Sequence, residues 1–500
     1  MEVILVQPRT SLTGSLVRMI PLGLLYAASS AVKSGHTIRI LDCRIRPERW
    51  NSDLDSLISE ATKVVGISVM SGFTILESLS ISRYVKGKYP WVTVVWGGSH
   101  GTFSPDEVLD EKSVDFLVRG YGAKPFLKLL EFLEEPGRHG GPGEISGLSW
   151  RTEEESVVHN EVETGFEFID YRDIPYFLIE DYSVYYHVDR KEMVFPMYSV
   201  MGCPHRCAFC SSPAQYAGFA SRWVPLAPRD VVDHIRMVQE KFGATFIYFI
   251  DEDSFVDVSH VEAIIDLIVE SGLKIKLGFR GARINEILGM SDEFLRKLVS
   301  VGTMNMHIGV ESGSDRILSL MGKNVTVAQT IAANRKLAKH PELTPLYNFI
   351  VGYPTETPEE TMMTRDLILQ LIEENPNCVI IPLNKPRPLG GTALMELALQ
   401  HGYVPPQALE EWGSYDVESS DYRPVWLTRQ HDQFIRMMFL CMYFIDDKIS
   451  KFSTDKGIKS RIVRMLAGIY KPVALFRFKY GIYRFLVEDV VYEWLKKLMI

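Results

Sequence analysis

Three of the chain's six cysteines, Cys203, Cys207 and Cys210, crowd into the stretch "MGCPHRCAFC". Their C-x3-C-x2-C spacing would place the thiols on one face of a regular helix, but Gly202 and Pro204 argue for a loop that wraps something. Thiolates gathered in one loop suit a soft metal centre. Zinc is one reading. It would need His205 as a fourth ligand, whereas structural zinc sites usually draw on two separated pairs. An iron–sulfur cluster is another. A [4Fe–4S] cluster normally takes four cysteines, so three leave one iron open to an exogenous ligand. Unligated thiols are the third. Cys43, Cys378 and Cys441 are distant in sequence.

The loop follows the apolar run "FPMYSVM", the first of six in residues 196–395 that alternate with helical patterns. The others are "FIYFIDED", "IKLGFRG", "TMNMHIGVES", "TPLYNFIVG" and "CVIIPLNKP". Six strand–helix units predict a parallel sheet curved towards a barrel, with its active face at the carboxyl ends of the strands. Asp251, Glu252, Asp253, Arg280, Arg283, Glu311, Ser312 and Asn384 fall at those ends.

Residues 1–135 repeat the alternation: "EVILVQP", "HTIRILD", "VVGISVM", "VTVVWGG" and "VDFLVRG" are short β-branched runs between helices. They predict a doubly wound parallel sheet whose ligand crevice lies at the carboxyl ends. Ser68, Gly97, Gly98, His100, Gly120 and Gly122 fall there. Residues 136–195 read as a linker with a hairpin in "ISGLSWRTEEESVVHNEVE", and residues 396–500 read mainly as helices.

"GCPHRCAFC", with the aromatic Phe209 just before the third cysteine, resembles the signature of the radical S-adenosylmethionine (radical SAM) superfamily. "FIDEDSF", "IGVESGSDRIL" and "FIVGYPTETPEE" resemble its later motifs, in the expected order. The resemblance implies a partial (β/α)6 barrel holding a [4Fe–4S] cluster on Cys203, Cys207 and Cys210. It implies that the open iron chelates SAM, and that Phe209, Asp251, Arg283, Glu311 and Ser312 help bind it. The cluster would pass an electron to SAM, which splits into methionine and a 5′-deoxyadenosyl radical.

Residues 1–135 resemble the cobalamin-binding Rossmann-like domain that precedes many such barrels. The likeness is carried by "PLGLLYAASSAVKSGHTIRILD", "VVGIS", "VVWGGSHGTFSPDEVL" and "VDFLVRGYGAKPFLKLL". The resemblance implies cobalamin held near Ser68, Gly97, Gly98, His100, Gly120 and Gly122, the glycines leaving room for a flat corrinoid. Two departures stand out. "QPRTSLTG" lacks the D-x-H-x-x-G motif that offers an axial histidine, and "GYGAKPF" stands where G-E-G-E is more usual. The family likeness implies methyl transfer to an unactivated centre of a small-molecule intermediate. Cyclisation, dehydrogenation, dehydration or rearrangement on a vestigial N-terminal domain is the alternative. An external electron donor such as flavodoxin or ferredoxin would serve either reaction.

No run of eighteen uncharged apolar residues occurs, and the N-terminus lacks a signal-peptide pattern, so a cytoplasmic protein without a transmembrane segment is expected. The formal net charge is −9, with 63 acidic against 54 basic residues, and no nucleic-acid module is recognisable. Charge is uneven: residues 448–500 hold twelve Lys/Arg against four Asp/Glu. This basic tail carries aromatics from Phe476 to Trp494 and suits helices packed on the body, or peripheral membrane contact. The run Met437, Met438, Phe439, Met442, Tyr443, Phe444 suits plain core or a hydrophobic substrate site.

Overall fold

The computed structural model describes residues 1–10, 19–136, 138, 140–187, 191–415, 422–446 and 458–484. The chain forms two compact units. The first comprises Met1–Tyr185, Gln215–Ala220 and Pro405–Ser419.

Its sheet has seven strands: β1 (Glu2–Gln7), β2 (Thr37–Asp42), β3 (Thr62–Ser68), β4 (Thr93–Gly97), β5 (Phe116–Val118), β6 (Leu148–Arg151) and β7 (Val157–His159). The order is β2-β1-β3-β4-β5-β6-β7. The first five pair in parallel, as apolar runs separated by helices require. Val3, Leu5, Val64 and Val95 pack on one face against Leu24, Ala28, Phe126, Leu129 and Leu130 of two covering helices. The hairpin of residues 136–195 does more than connect: β6 and β7 extend this sheet antiparallel from β5.

The second unit comprises Tyr186–Ala214, Ser221–Val404 and Ser420–Ile500. Its main strands are β8 (Tyr186–His187), β9 (Glu192–Met197), β12 (Phe246–Phe249), β13 (Lys276–Ala282), β14 (Thr303–Glu311), β15 (Thr344–Phe349) and β16 (Val379–Ile380). They run β16-β15-β14-β13-β12-β9-β8. All neighbours are parallel except the short edge strand β8. A separate two-stranded ribbon pairs β10 (Val200–Gly202) with β11 (Trp223–Pro225). The strand expected over "FPMYSVM" is therefore broken between β9 and β10, and "CVIIPLNKP" contributes only a two-residue strand.

Alternation along β12 to β15 separates two faces. Ile247, Phe249, Leu277, Phe279, Met306, Ile308, Tyr347 and Phe349 are buried. On the opposite face Tyr248, Asn305, His307 and Asn348 are half-buried and Arg280 is exposed. In a sheet curved towards a barrel this polar face is the inner one.

The helices of residues 396–500 include Arg429–Ile445 and Ile458–Tyr480. Met437, Met438, Met442, Phe439 and Phe444 are buried in the first of these and belong to the core. Among the described residues no helix is long and apolar enough to cross a membrane. The tail aromatics Phe485 and Trp494 lie outside the described residues.

Candidate active site

The cysteine loop leaves β10 through Gly202, whose φ is +83°. Further on it is pinned by backbone hydrogen bonds: Ala208 N–H donates to the Met321 carbonyl at 2.9 Å, and Leu394 N–H donates to the Ala208 carbonyl at 2.8 Å. Phe209 packs against Ile317, Met321, Ile350, Tyr353 and Leu394. Its half-buried ring thus helps hold the loop.

The loop's three thiols are free, with Cys207 buried and Cys203 and Cys210 half-buried. Burial pushes the Cys203 thiol up to about 12, with added repulsion from Asp253, Cys210 and Cys207. Cys203 thus lies within electrostatic reach of both other thiols. Arg283 Nη1 donates to Cys207 Sγ at 3.1 Å, which puts a cation against sulfur. The wholly buried Tyr353 hydroxyl has no hydrogen-bond partner among the described residues, and its phenol is raised by burial and by nearby Cys207. Soft donors, a cation and an orphaned buried polar atom in one place fit an anionic metal–sulfur group.

His205 turns towards carboxylates. Its Nε2 lies 3.1 Å from Asp253 Oδ2 and 3.5 Å from Glu286 Oε1. Burial opposes its charge, but these carboxylates raise its pKa above the ordinary value. A zinc site that borrows His205 would have to break this arrangement.

Glu311 ends β14 with a φ of +68°, a left-handed backbone rare for a side chain of this size. Its Oε1 accepts from Lys323 Nζ at 3.0 Å, and both side chains are buried. Gly309 makes room for the pair: a Cβ there would sit 2.3 Å from Glu311 Oε1 and 2.7 Å from Lys323 Nζ. The ion pair lies over the inner face of the sheet. On that face burial lowers His307 to about 4 and raises Tyr248 to about 12, with Arg280 acting on both. The imidazole of His307 and the phenol of Tyr248 are therefore neutral near pH 7.

Three expected SAM contacts have partners within the protein. Asp251 is fully buried, and four protein donors consume its oxygens. Oδ1 accepts from Ser199 N–H at 2.8 Å and Val200 N–H at 3.2 Å, and Oδ2 from the hydroxyls of Ser199 at 2.6 Å and Ser254 at 2.9 Å. It braces the β9–β10 turn against β12. Ser312 is also fully buried, accepting from Ser314 N–H at 3.1 Å with Thr364 Oγ1 at 3.4 Å. Arg283 reaches the cysteine loop itself: besides Cys207, its Nη2 donates to the Lys323 carbonyl at 2.6 Å. Lys323 and Glu286 emerge only from the folded chain, and Asp253, expected at a strand end, meets His205 there. Tyr248 and His307 had a signal in sequence: polar residues at alternate positions of an otherwise apolar strand.

In the first unit, Ser68, Gly97 and Gly98 lie at the carboxyl ends of β3 and β4, with Ser68 paired to Gly97. Gly120 and Gly122 follow β5. Gly98 is exposed and Ser68, Gly97, Gly120 and Gly122 are half-buried, so the rim carries little side-chain bulk. The glycines also answer to the protein's own packing. A Cβ on Gly98 (φ +109°) would lie 2.5 Å from the Val69 carbonyl oxygen, and one on Gly120 (φ +75°) 2.6 Å from Val162 Cγ1. His100 lies beneath the rim, 3 % exposed, rather than reaching out from it. Its Nδ1 meets Ser71 Oγ at 3.0 Å, its ring stands edge-on to Trp412 at 5.1 Å, and Nε2 is buried without a hydrogen-bond partner. Burial lowers it to about 4, so the ring is neutral. A low rim at five parallel strand ends, with an orphaned polar nitrogen below it, fits a broad flat ligand.

Comparison with known proteins follows this division. The radical SAM superfamily model matches residues 197–368, and the B12 binding domain model matches residues 12–130. An uncharacterized methyltransferase of Pyrococcus horikoshii is 29 % identical over 81 % of this chain and 84 % of its own length. The anaerobic magnesium-protoporphyrin IX monomethyl ester cyclase of Rubrivivax gelatinosus is 25 % identical, covering 57 % of this chain and 49 % of its own, so the chain spans about half of that relative. The fold matches that of the radical SAM methyltransferase TsrM from Kitasatospora setae, solved with tryptophan substrate and a SAM analogue. The TM-score is 0.68 at 17 % identity, over 99 % of both chains.

Proposed function

For a chain that belongs to the radical SAM superfamily and carries an N-terminal B12 binding domain, we propose the function of a cobalamin-dependent radical SAM methyltransferase acting on an unactivated centre of a small molecule. The observation that carries this reading is the cysteine loop with Arg283 against Cys207 Sγ, beside the buried Glu311–Lys323 pair. Cys203, Cys207 and Cys210 would hold a [4Fe–4S] cluster, and the rim at Ser68, Gly97, Gly98, Gly120 and Gly122, with His100 beneath it, would hold cobalamin. When bound, the cluster supplies one-electron reductive cleavage of SAM, and cobalamin supplies a methyl carrier.

The chain's own residues bind, orient and exclude water. Arg283 neutralises charge at the Cys207 sulfur. Glu311 is an acceptor held in a fixed place by Lys323, suited to an ammonium group such as that of SAM. The inner face of the sheet offers a neutral His307, the phenol of Tyr248 and the exposed cation of Arg280. These suit a polar small molecule. Phe209 and its apolar neighbours close one side of the cysteine loop to water. Electrons would come from an external donor such as flavodoxin or ferredoxin.

Likeness to the cyclase supports a second reading, in which ring closure or another radical rearrangement occurs without methyl transfer. Anaerobic turnover with SAM, reductant and cobalamin separates the two. S-adenosylhomocysteine formed together with 5′-deoxyadenosine is expected of the methyltransferase. Only 5′-deoxyadenosine, with cobalamin present and bound, would assign the second reading. Neither product would overturn both.

A further inference from the structure

The helix Ile458–Tyr480 divides into two faces. Ala474 and Phe478 are fully buried, and Tyr470 packs edge-on against Phe444 of the helix Arg429–Ile445 at 5.1 Å. The opposite face is a continuous exposed apolar stripe of Met465, Ile469, Val473, Phe476 and Tyr480, with Ile469 68 % and Phe476 57 % exposed. The i, i+4, i+8, i+11, i+15 spacing keeps these residues in one row about 22 Å long.

Charge is arranged around that row. Residues 458–484 contain seven Lys/Arg and no Asp or Glu. At about 100° per residue, Arg477 falls on one border of the stripe. Arg461 and Lys479, about five turns apart, share the other. Lys479 Nζ also lies 5.9 Å from the Tyr480 ring centroid. A row of large apolar side chains between two cationic borders, with aromatics at its end, has the chemistry of a helix lying in a lipid headgroup layer. The apolar row enters the acyl boundary while the cations reach the phosphates. A second copy of the chain would set like charges against these borders, which disfavours self-pairing.

We propose that the outer face of Ile458–Tyr480 docks this protein peripherally on an anionic membrane surface. The inference does not depend on the proposed reaction, and its test uses no turnover.

The test is flotation of the full-length protein with vesicles of pure phosphatidylcholine, and of phosphatidylcholine mixed with phosphatidylglycerol. Wild-type protein is expected to bind the anionic vesicles at least ~10-fold more tightly, and to lose this preference as salt rises. The double variant I469E/F476E, changed only on the exposed row, is expected to bind at least ~10-fold more weakly. R461Q/K479Q is expected to lose on the order of 10-fold and to show a shallower salt dependence. Circular dichroism and thermal melts identical to wild type establish that both variants fold.

Equal binding to both vesicle types would overturn the proposal, as would I469E/F476E binding like wild type. Two further outcomes would also overturn it. Binding only after truncation beyond Arg484 would show that residues 485–500 occupy the stripe. A wild-type dimer in sedimentation velocity that I469E/F476E dissociates would show that a second copy does.

Discussion

The guanidinium of Arg283 bridges two segments: Nη1 donates to Cys207 Sγ at 3.1 Å and Nη2 to the Lys323 carbonyl at 2.6 Å. One side chain thus ties the cysteine loop to the residue that pairs with Glu311. A fixed cation beside a cluster ligand favours the more negative, reduced state. Arg283→Ala is expected to lower the cluster's midpoint potential by about 50 mV, since ~59 mV is a factor of ten for one electron. Arg283→Lys should recover part of the shift. Redox titration followed by electron paramagnetic resonance measures both. An unchanged potential in Arg283→Ala would remove Arg283 from the electrostatics of the site.

Lys323 and Glu311 form a buried pair, so removing one partner leaves an uncompensated charge. Lys323→Met is expected to destabilise the protein by about 3 kcal/mol or more. It should also weaken SAM binding, because the Glu311 carboxylate loses its anchor. Chemical denaturation and isothermal titration with SAM read the two effects separately. Glu311→Gln with wild-type SAM affinity would argue against Glu311 as a SAM contact.

Asp251 makes stability depend on pH. Burial raises its carboxyl from an ordinary value near 3.8 to about 6, against the hydrogen bonds from Ser199, Ser254 and Val200 that favour ionisation. The folded state therefore holds this proton more tightly than the unfolded chain. The contribution is fully present below about pH 3.8 and fades as pH climbs through about 6. It amounts to about 3 kcal/mol. Urea unfolding between those pH values should show the wild type losing stability relative to Asp251→Asn. Parallel curves would contradict this assignment. Asp251→Asn should also be less stable overall, because its amide NH2 meets donors on every side.

Gly98 is confined by its own fold. With φ at +109° and a Cβ that would lie 2.5 Å from the Val69 carbonyl oxygen, Gly98→Ala is expected to cost about 1–3 kcal/mol. It should shift the rim of the first unit and weaken corrinoid retention after gel filtration. Gly97→Ala, whose Cβ would meet only the Val118 carbonyl oxygen at 3.6 Å, is the matched control and should fold normally.

Much of this architecture was legible in sequence because apolar runs alternating with helical patterns admit few arrangements. The parallel pairing of β1 to β5, and of β9 with β12 to β16, follows from it. The hairpin β6–β7 was visible as a hairpin, but its membership of the first sheet depends on pairing with β5. At the site, the cysteine loop announced itself through spacing, whereas the direction of each strand-end side chain did not. Asp251 and Ser312 occupy strand ends yet turn inward, because their partners Ser199 and Thr364 each lie 52 residues away. Lys323 had no signal at all, since nothing local marks a lysine twelve residues beyond Glu311 as its buried partner. Long-range hydrogen-bond satisfaction decided those roles, and periodicity does not encode it.

Cys203, Cys207 and Cys210 together are expected to hold an iron–sulfur cluster that cleaves SAM. The most direct measurement is iron and sulfide content with SAM turnover after anaerobic reconstitution, in wild type and in the triple variant C203A/C207A/C210A. About four irons and four sulfides per wild-type chain are expected, with 5′-deoxyadenosine formed on reduction. Neither cluster nor product is expected in a triple variant whose circular dichroism is unchanged. A triple variant that still holds iron and makes 5′-deoxyadenosine would contradict the assignment of these cysteines to the cluster.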